Sequence, residues 1–102
     1  MARVEVSDPA IADIEDIWSY VAVHNERAAD RLVRRFSTVF ERLARMPSLG
    51  EMYAESLPGT RTLTSGAYVI IYVVRDDRIQ ISRVVHSARD WQSLLDALDD
   101  TE

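Results

Sequence analysis

The hydrophobic repeat changes once along this chain, and that change constrains the fold more than any other feature. Between Ile11 and Leu43 apolar residues recur at the helical spacing; from Arg61 onward they alternate or run together as strands do. Ile11, Ile14, Trp18 and Val21, with Ile17 and Ala22 beside them, form one helical face, and Asp13 and Asp16 point away from it. Ser7 or Asp8 is placed to cap this helix, and Pro9 suits its first turn. The segment "VHN" breaks the pattern, and Asn25 caps a second helix running to Met46. Its inner stripe is Ala29, Leu32, Val33, Phe36, Val39, Phe40 and Leu43. Arg27, Arg31, Arg34, Arg42 and Arg45 lie opposite, with Asp30–Arg34 and Glu41–Arg45 as favourable i, i+4 pairs. The short connector implies antiparallel helices.

"ARVEV" at residues 2–6 is a short β-prone segment, and a loop is expected from Pro47 to Thr60, punctuated by "PSLG" and "LPGT". "RTL" is a short strand, "YVIIYVVR" is apolar on both faces as a central strand should be, and "RIQISRVVH" alternates less cleanly. Asp76 and Asp77 form the hairpin turn between the last two. The tail "DWQSLLDALDD" has Asp90 as a cap and Trp91, Leu94, Leu95 and Leu98 at helical spacing, able to pack on the body or to dock on a partner. Helices grouped before the strands indicate an α+β fold: an N-terminal strand, a helical hairpin on one face of a four-stranded sheet, and a short C-terminal helix. The other sheet face is expected to be partly open.

A chain of 102 residues is expected to form one domain over residues 1–102. It has no Cys and two well-separated His, which removes disulfides and thiolate metal sites; no metal and no cofactor is expected. The start lacks the apolar core of a signal peptide, and no apolar run is long enough to span a bilayer, so cytoplasmic residence without membrane contact is expected. All twelve basic residues are Arg, and six lie between Asn25 and Met46; residues 8–23 carry four acids and no base. The net charge of −5 argues against a free-standing nucleic-acid binder, because phosphate neutralisation dominates such affinity.

The residues that could carry chemistry are Arg61, Arg83, His86 and Arg89, near the ends of strands. Metal-free RNA cleavage needs a base, an acid and cations on the phosphate. His86 could transfer a proton, and Arg61 with Arg83 could clamp the phosphate in bidentate fashion. Tyr68 and Tyr72 could supply a second proton, but both sit in the most apolar strand. Arg83 and His86 are three apart, which in a regular strand puts them on opposite faces. Strand-end hydrogen bonding accounts for the same residues without chemistry, and Asp13 and Asp16 fit a solvated face.

With these segments in view, the chain resembles the ParE branch of the ParE/RelE superfamily of type II toxin–antitoxin systems. The resemblance rests on "AIADIEDIWSYV", "AADRLVRRFSTVFERLARMPSLG" and "LPGTRTLTSGAYVIIYVVRDDRIQISRVVHSARD". The last holds Arg61, the Tyr68–Ile70–Tyr72 strand, the Asp-Asp turn, and His86, Arg89 and Asp90. It implies a helical hairpin against a mostly antiparallel sheet, and a toxin directed either at DNA gyrase or at ribosome-bound mRNA. This chain departs from the nuclease pattern at Glu51 and Glu55 in the loop, at Trp91 where a catalytic Tyr often stands, and in its acidic charge. The resemblance therefore implies a gyrase poison without catalytic residues, meeting its target through Arg61, Arg83, His86, Arg89 and Trp91, with nucleic acid involved only indirectly. It implies a ParD-like antitoxin forming a hetero-oligomer through Trp18, Arg31, Arg34, Arg35 and Tyr72. The alternative implied is a RelE-like mRNA endonuclease using His86, Arg61 and Arg83.

Overall fold

The computed structural model describes residues 1–100, with side chains described as far as residue 97. Strand β1 (Arg3–Val6) leads into α1 (Asp8–Ala22) and α2 (Glu26–Arg45). A 3-10 turn (Pro47–Leu49) precedes β2 (Glu51–Met52), β3 (Thr60–Ser65), β4 (Tyr68–Val74), β5 (Arg78–His86) and α3 (Gln92–Asp100). The sheet order is β1-β5-β4-β3-β2, antiparallel throughout except for the parallel β1–β5 pair. The α+β class and the helical hairpin match the sequence reading. The sheet has five strands rather than four, because residues 51 and 52, expected in a loop, pair with Thr62 and Arg61. Two residues are too few to show a period.

Both helix starts follow from their caps. Ser7 Oγ accepts the Ala10 N–H at 3.2 Å and donates to the Ser82 carbonyl at 3.0 Å, so one hydroxyl caps α1 and ties it to β5. Asn25 Oδ1 accepts the Ala28 N–H at 3.0 Å. Tying α1 down at Ser7 brings Ala10, fully buried, against the sheet, and turns Ile11 outward to 44% exposure, a correction to the expected apolar face. The inner stripe of α2 packs as its spacing implies: Phe36, Val39, Phe40 and Leu43 join Ile70, Tyr72, Ile79, Ile81 and Val84 in the main core. Burying each large side chain contributes about 1.5–3 kcal/mol relative to leaving it in water.

The second sheet face is covered in part, as expected: Thr62, Val73 and Gln80 stay partly exposed beside a patch that is buried. Val69, Ile71, Val85 and Leu95 form a smaller cluster, joined by Tyr53, Leu57 and Trp91. Tyr53 Oη donates to Asp96 Oδ1 at 2.5 Å, and the Tyr53 and Trp91 rings stand edge to face at 6.2 Å. Leu94 stays 37% exposed, and Leu98 lies outside the described side chains.

The irregular alternation of β5 has a local cause. Ile71 faces Arg83 while Tyr72 faces Ile81, so Ser82 is an extra residue, a β-bulge. The bulge resets the parity: Ile79 and Ile81 before it and Val84 after it all reach the helix-side core.

Tyr72 is the polar node of that core. It is fully buried, its hydroxyl donates to the Pro47 carbonyl at 2.8 Å and accepts the Gly50 N–H at 2.8 Å, and so it fixes the chain leaving α2. Gly50 is required there, since a Cβ would stand 2.7 Å from both Thr62 O and Tyr72 Oη. Burial pushes the Tyr72 pKa up, outweighing the Gly50 hydrogen bond and the nearby Arg61 charge, which lower it. A raised folded-state pKa gives stability that is present below the unfolded value of about 10 and lost as pH climbs through the folded value. Tyr72→Phe is expected to cost about 1–3 kcal/mol in urea titrations at neutral pH by orphaning two backbone groups. Above about pH 10 the gap between wild type and variant should narrow, because only the wild type has this phenol to ionise.

Candidate functional site

The polar centre of the molecule lies where β1 ends and β5 continues. β1 pairs with β5 only as far as Val6 and Ile81, and Ser7 N–H adds one bond to the Ile81 carbonyl at 3.0 Å. Beyond that point α1 takes over the edge. Asp13 Oδ2 accepts the Val84 N–H at 2.9 Å, as a neighbouring strand would, and the carboxylate receives Arg83 Nε at 2.7 Å and Nη2 at 2.9 Å. This charge-assisted fork holds the Arg83 guanidinium pKa above its ordinary value, against the opposing effect of burial. The expectation that Asp13 is a solvated outward residue is therefore corrected: its side chain is only 13% exposed and carries three hydrogen bonds.

Arg61 is similarly engaged. Its Nη1 donates to the Gly50 carbonyl at 2.6 Å and, more weakly, to the Ser48 carbonyl at 3.4 Å. The two arginines proposed to clamp a phosphate together are bound to different parts of the framework. Tyr72, expected among partner-binding residues, is fully buried and presents no surface.

His86 ends β5 on the side of Tyr68, its register partner, while Arg83 pairs with Ile71 on the other side. The opposite-face placement that three-residue spacing implies is thus what the strand adopts, since the bulge falls before Arg83. The His86 ring stands edge to face with Tyr68 at 5.3 Å, and its Nδ1 accepts the Ala88 N–H at 3.0 Å. In the neutral ring the proton therefore sits on Nε2, which makes no hydrogen bond among the described residues. A cleft of about 480 Å³ opens here between α1 and the sheet end, lined by Asp16, Ile17, Tyr20, Tyr68, His86 and Arg89 among others. Arg89 N–H donates to the His86 carbonyl at 3.0 Å, and its guanidinium is exposed. Among the described residues, the cleft lining brings together the His86 ring, the Arg89 guanidinium, the Asp16 carboxylate and the hydroxyls of Tyr20 and Tyr68.

The family described as "ParE toxin of type II toxin-antitoxin system, parDE" matches residues 4–91. The chain belongs to this ParE toxin family. It is 33% identical over 89 residues to Toxin RelE2 of Caulobacter vibrioides, covering 87% of this chain and 99% of that one. It is also 33% identical over 90 residues to Toxin ParE1 of the same organism, covering 86% and 92%. Among solved structures, the chromosomal ParDE toxin–antitoxin system from P. aeruginosa superposes with a TM-score of 0.70 at 25% identity, covering 84% of this chain and 96% of that chain. The toxin–antitoxin complex RelBE2 from Mycobacterium tuberculosis shares the fold, with a TM-score of 0.62 at 24% identity over 83% of this chain and 96% of that chain.

In this ParE toxin the remaining sequence-derived candidates divide by burial. Trp18 is half-buried between the helices, its Nε1 donating to Asp30 Oδ1 at 2.9 Å, and Trp91 is half-buried beside Tyr53. Arg31, Arg34 and Arg35 are exposed. The expected Asp30–Arg34 and Glu41–Arg45 pairs do not form; the ion pairs among the described residues are Arg3–Glu5, Arg78–Glu5, Arg78–Asp77 and Arg83–Asp13. No group of three or more His, Cys, Asp or Glu able to hold a metal occurs among the described residues, and no described helix is long and apolar enough to cross a membrane. Arg61→Ala should destabilise the protein by about 1–2 kcal/mol through the orphaned Gly50 carbonyl. It should also speed amide hydrogen exchange selectively between residues 47 and 52; uniform exchange rates across variant and wild type would show that Arg61 holds nothing there.

Proposed function

We propose that this chain is a toxin that inhibits DNA gyrase by binding it, with no bond-breaking chemistry of its own, and that a cognate ParD-like antitoxin neutralises it by direct contact. The observation that carries this reading is the commitment of both phosphate-clamping candidates to the framework: Arg83 to Asp13 and Arg61 to the Gly50 carbonyl. Transition-state stabilisation of a phosphorane needs cations converging on one point. In the cleft that holds His86, beside Tyr20 and Tyr68, the lining residues include Arg89 as a cation but neither Arg61 nor Arg83. The acidic residues Glu51 and Glu55, in the segment after the helices, also disfavour docking of that segment into ribosomal RNA.

The antitoxin reading draws on family membership and on the surface of the helical hairpin. Ile11 and Tyr20 on α1 and Val23 just past its end are exposed, Tyr20 to 75% and Val23 to 81%, and provide apolar anchors of the kind that interfaces need. Arg31, Arg34 and Arg35 on α2 supply a charged rim that gives register, and Trp18 stiffens the junction between the helices. The complex would be a hetero-oligomer in the cytoplasm.

A second reading, ribosome-dependent mRNA cleavage, is favoured by the free Nε2 of His86 beside Arg89 in the cleft. Purified toxin in a gyrase supercoiling assay and in a translating-ribosome cleavage assay separates the two. The gyrase reading expects supercoiling to be inhibited, mRNA to stay intact, and His86→Ala to inhibit gyrase within about twofold of wild type. Codon-register mRNA cuts that vanish in His86→Ala, with supercoiling untouched, would overturn it.

A further inference from the structure

We propose that the outer face of α2 is a contact surface for the phosphate backbone of duplex DNA. This deepens the gyrase reading and rests on it for the source of the duplex, the DNA that gyrase holds.

At about 100° per residue, Arg27, Arg31, Arg34, Arg35, Arg42 and Arg45 fall within an arc of about 100° on the side of the helix away from Phe36, the buried centre of the helix. All six are exposed, and none forms an ion pair among the described residues. The acids that sequence spacing would pair with them are otherwise placed: Asp30 is held by Trp18, and Glu41 lies beyond ion-pair distance of any arginine. Six arginines against Glu26, Asp30 and Glu41 give α2 a net charge of +3, in a chain whose total is −5. The protein is therefore strongly polarised, which orients its approach to a polyanion.

An acidic protein segment is the competing occupant, and apolar content distinguishes the two. A protein partner needs buried anchors. The large apolar side chains that are exposed lie on α1, α3, β2 and the termini or loops; none lies between Glu26 and Arg45, and Met46, just past the helix end, adjoins Arg42 and Arg45. A face of guanidinium groups with no apolar anchor on the helix itself suits a ligand recognised chiefly through its charges. Duplex DNA carries one negative charge per about 1.7 Å, and arginine binds phosphate through its planar fork. α2 is about 30 Å long, comparable to one turn of the duplex. The contacts carry no sequence preference, because they are all to the backbone. An antitoxin seated on α1 and overlapping this rim masks it, so DNA contact and neutralisation exclude each other.

The test is fluorescence anisotropy of a labelled duplex of about one to two helical turns with the full chain at about 50 mM salt. Wild type should bind duplexes of unrelated sequence equally. The triple variant Arg31→Gln, Arg34→Gln, Arg42→Gln should bind at least about tenfold more weakly, with a log K against log salt slope shallower by about 3. The corresponding triple Lys variant, which keeps the charges, should recover most of the affinity. A flat wild-type titration, a triple Gln variant that binds as wild type does, or poly-glutamate bound more tightly than the duplex at equal charge concentration would overturn the proposal. Gyrase inhibition is measured separately on the same proteins. Duplex binding that depends on the arginines, with gyrase unaffected, leaves the DNA face standing and removes the gyrase reading. Gyrase inhibition of undiminished strength in the triple Gln variant, without duplex binding, does the reverse.

Discussion

One carboxylate decides how the two halves of this molecule meet. β5 has nine residues and its parallel neighbour β1 has four, so the edge of β5 past Ile81 would be bare backbone without a substitute. Asp13 is that substitute. It accepts the Val84 N–H in place of a strand carbonyl, and its charge is answered by the fork of Arg83. An exposed edge invites pairing with another chain, and a charged side chain set against it prevents this. The same contact fixes α1 above the sheet end, and so positions the cleft wall formed by Asp16, Ile17 and Tyr20.

A second tether works at the other side of the core. Tyr72 and Arg61 hold the turn from Pro47 to Gly50 through its backbone groups, and that turn delivers β2 to the far edge of the sheet. Chemistry-bearing residue types have thus been drawn into architecture at both margins. The polar and apolar groups left at the surface include the His86–Arg89 cleft and the outward faces of the helical hairpin. A fold can host unrelated functions in this way, because function rests on surface groups and not on the frame.

Much of the frame was legible in the sequence because it rests on local signals: the 3.6 period of α2, the Ser7 and Asn25 caps, and the Asp76–Asp77 turn. The misses share a different character, since each depends on contacts between residues distant along the chain. Asp13 meets Arg83 and Val84 across 70 and 71 residues, and a lone aspartate on a helix carries no mark of that. Asp30 fits an i, i+4 pair with Arg34 until Trp18, twelve residues earlier, takes its carboxylate. The bulge at Ser82 left a trace in the broken alternation of β5, but not its position. Tyr53 and Leu57, in a segment expected to be loop, became legible as packing residues only once α3 was seen against Val69, Ile71 and Val85.

The most direct test of this account is a double-mutant cycle at the α1–β5 junction, combining Asp13→Ala and Arg83→Ala, with stability read by urea denaturation and growth inhibition read for each variant. A shared ion pair gives a coupling of about 1–3 kcal/mol between the two sites and parallel effects of the two single changes on toxicity. A coupling near zero, with Arg83→Ala alone abolishing growth inhibition in a fully folded protein, would place Arg83 in the chemistry and contradict it.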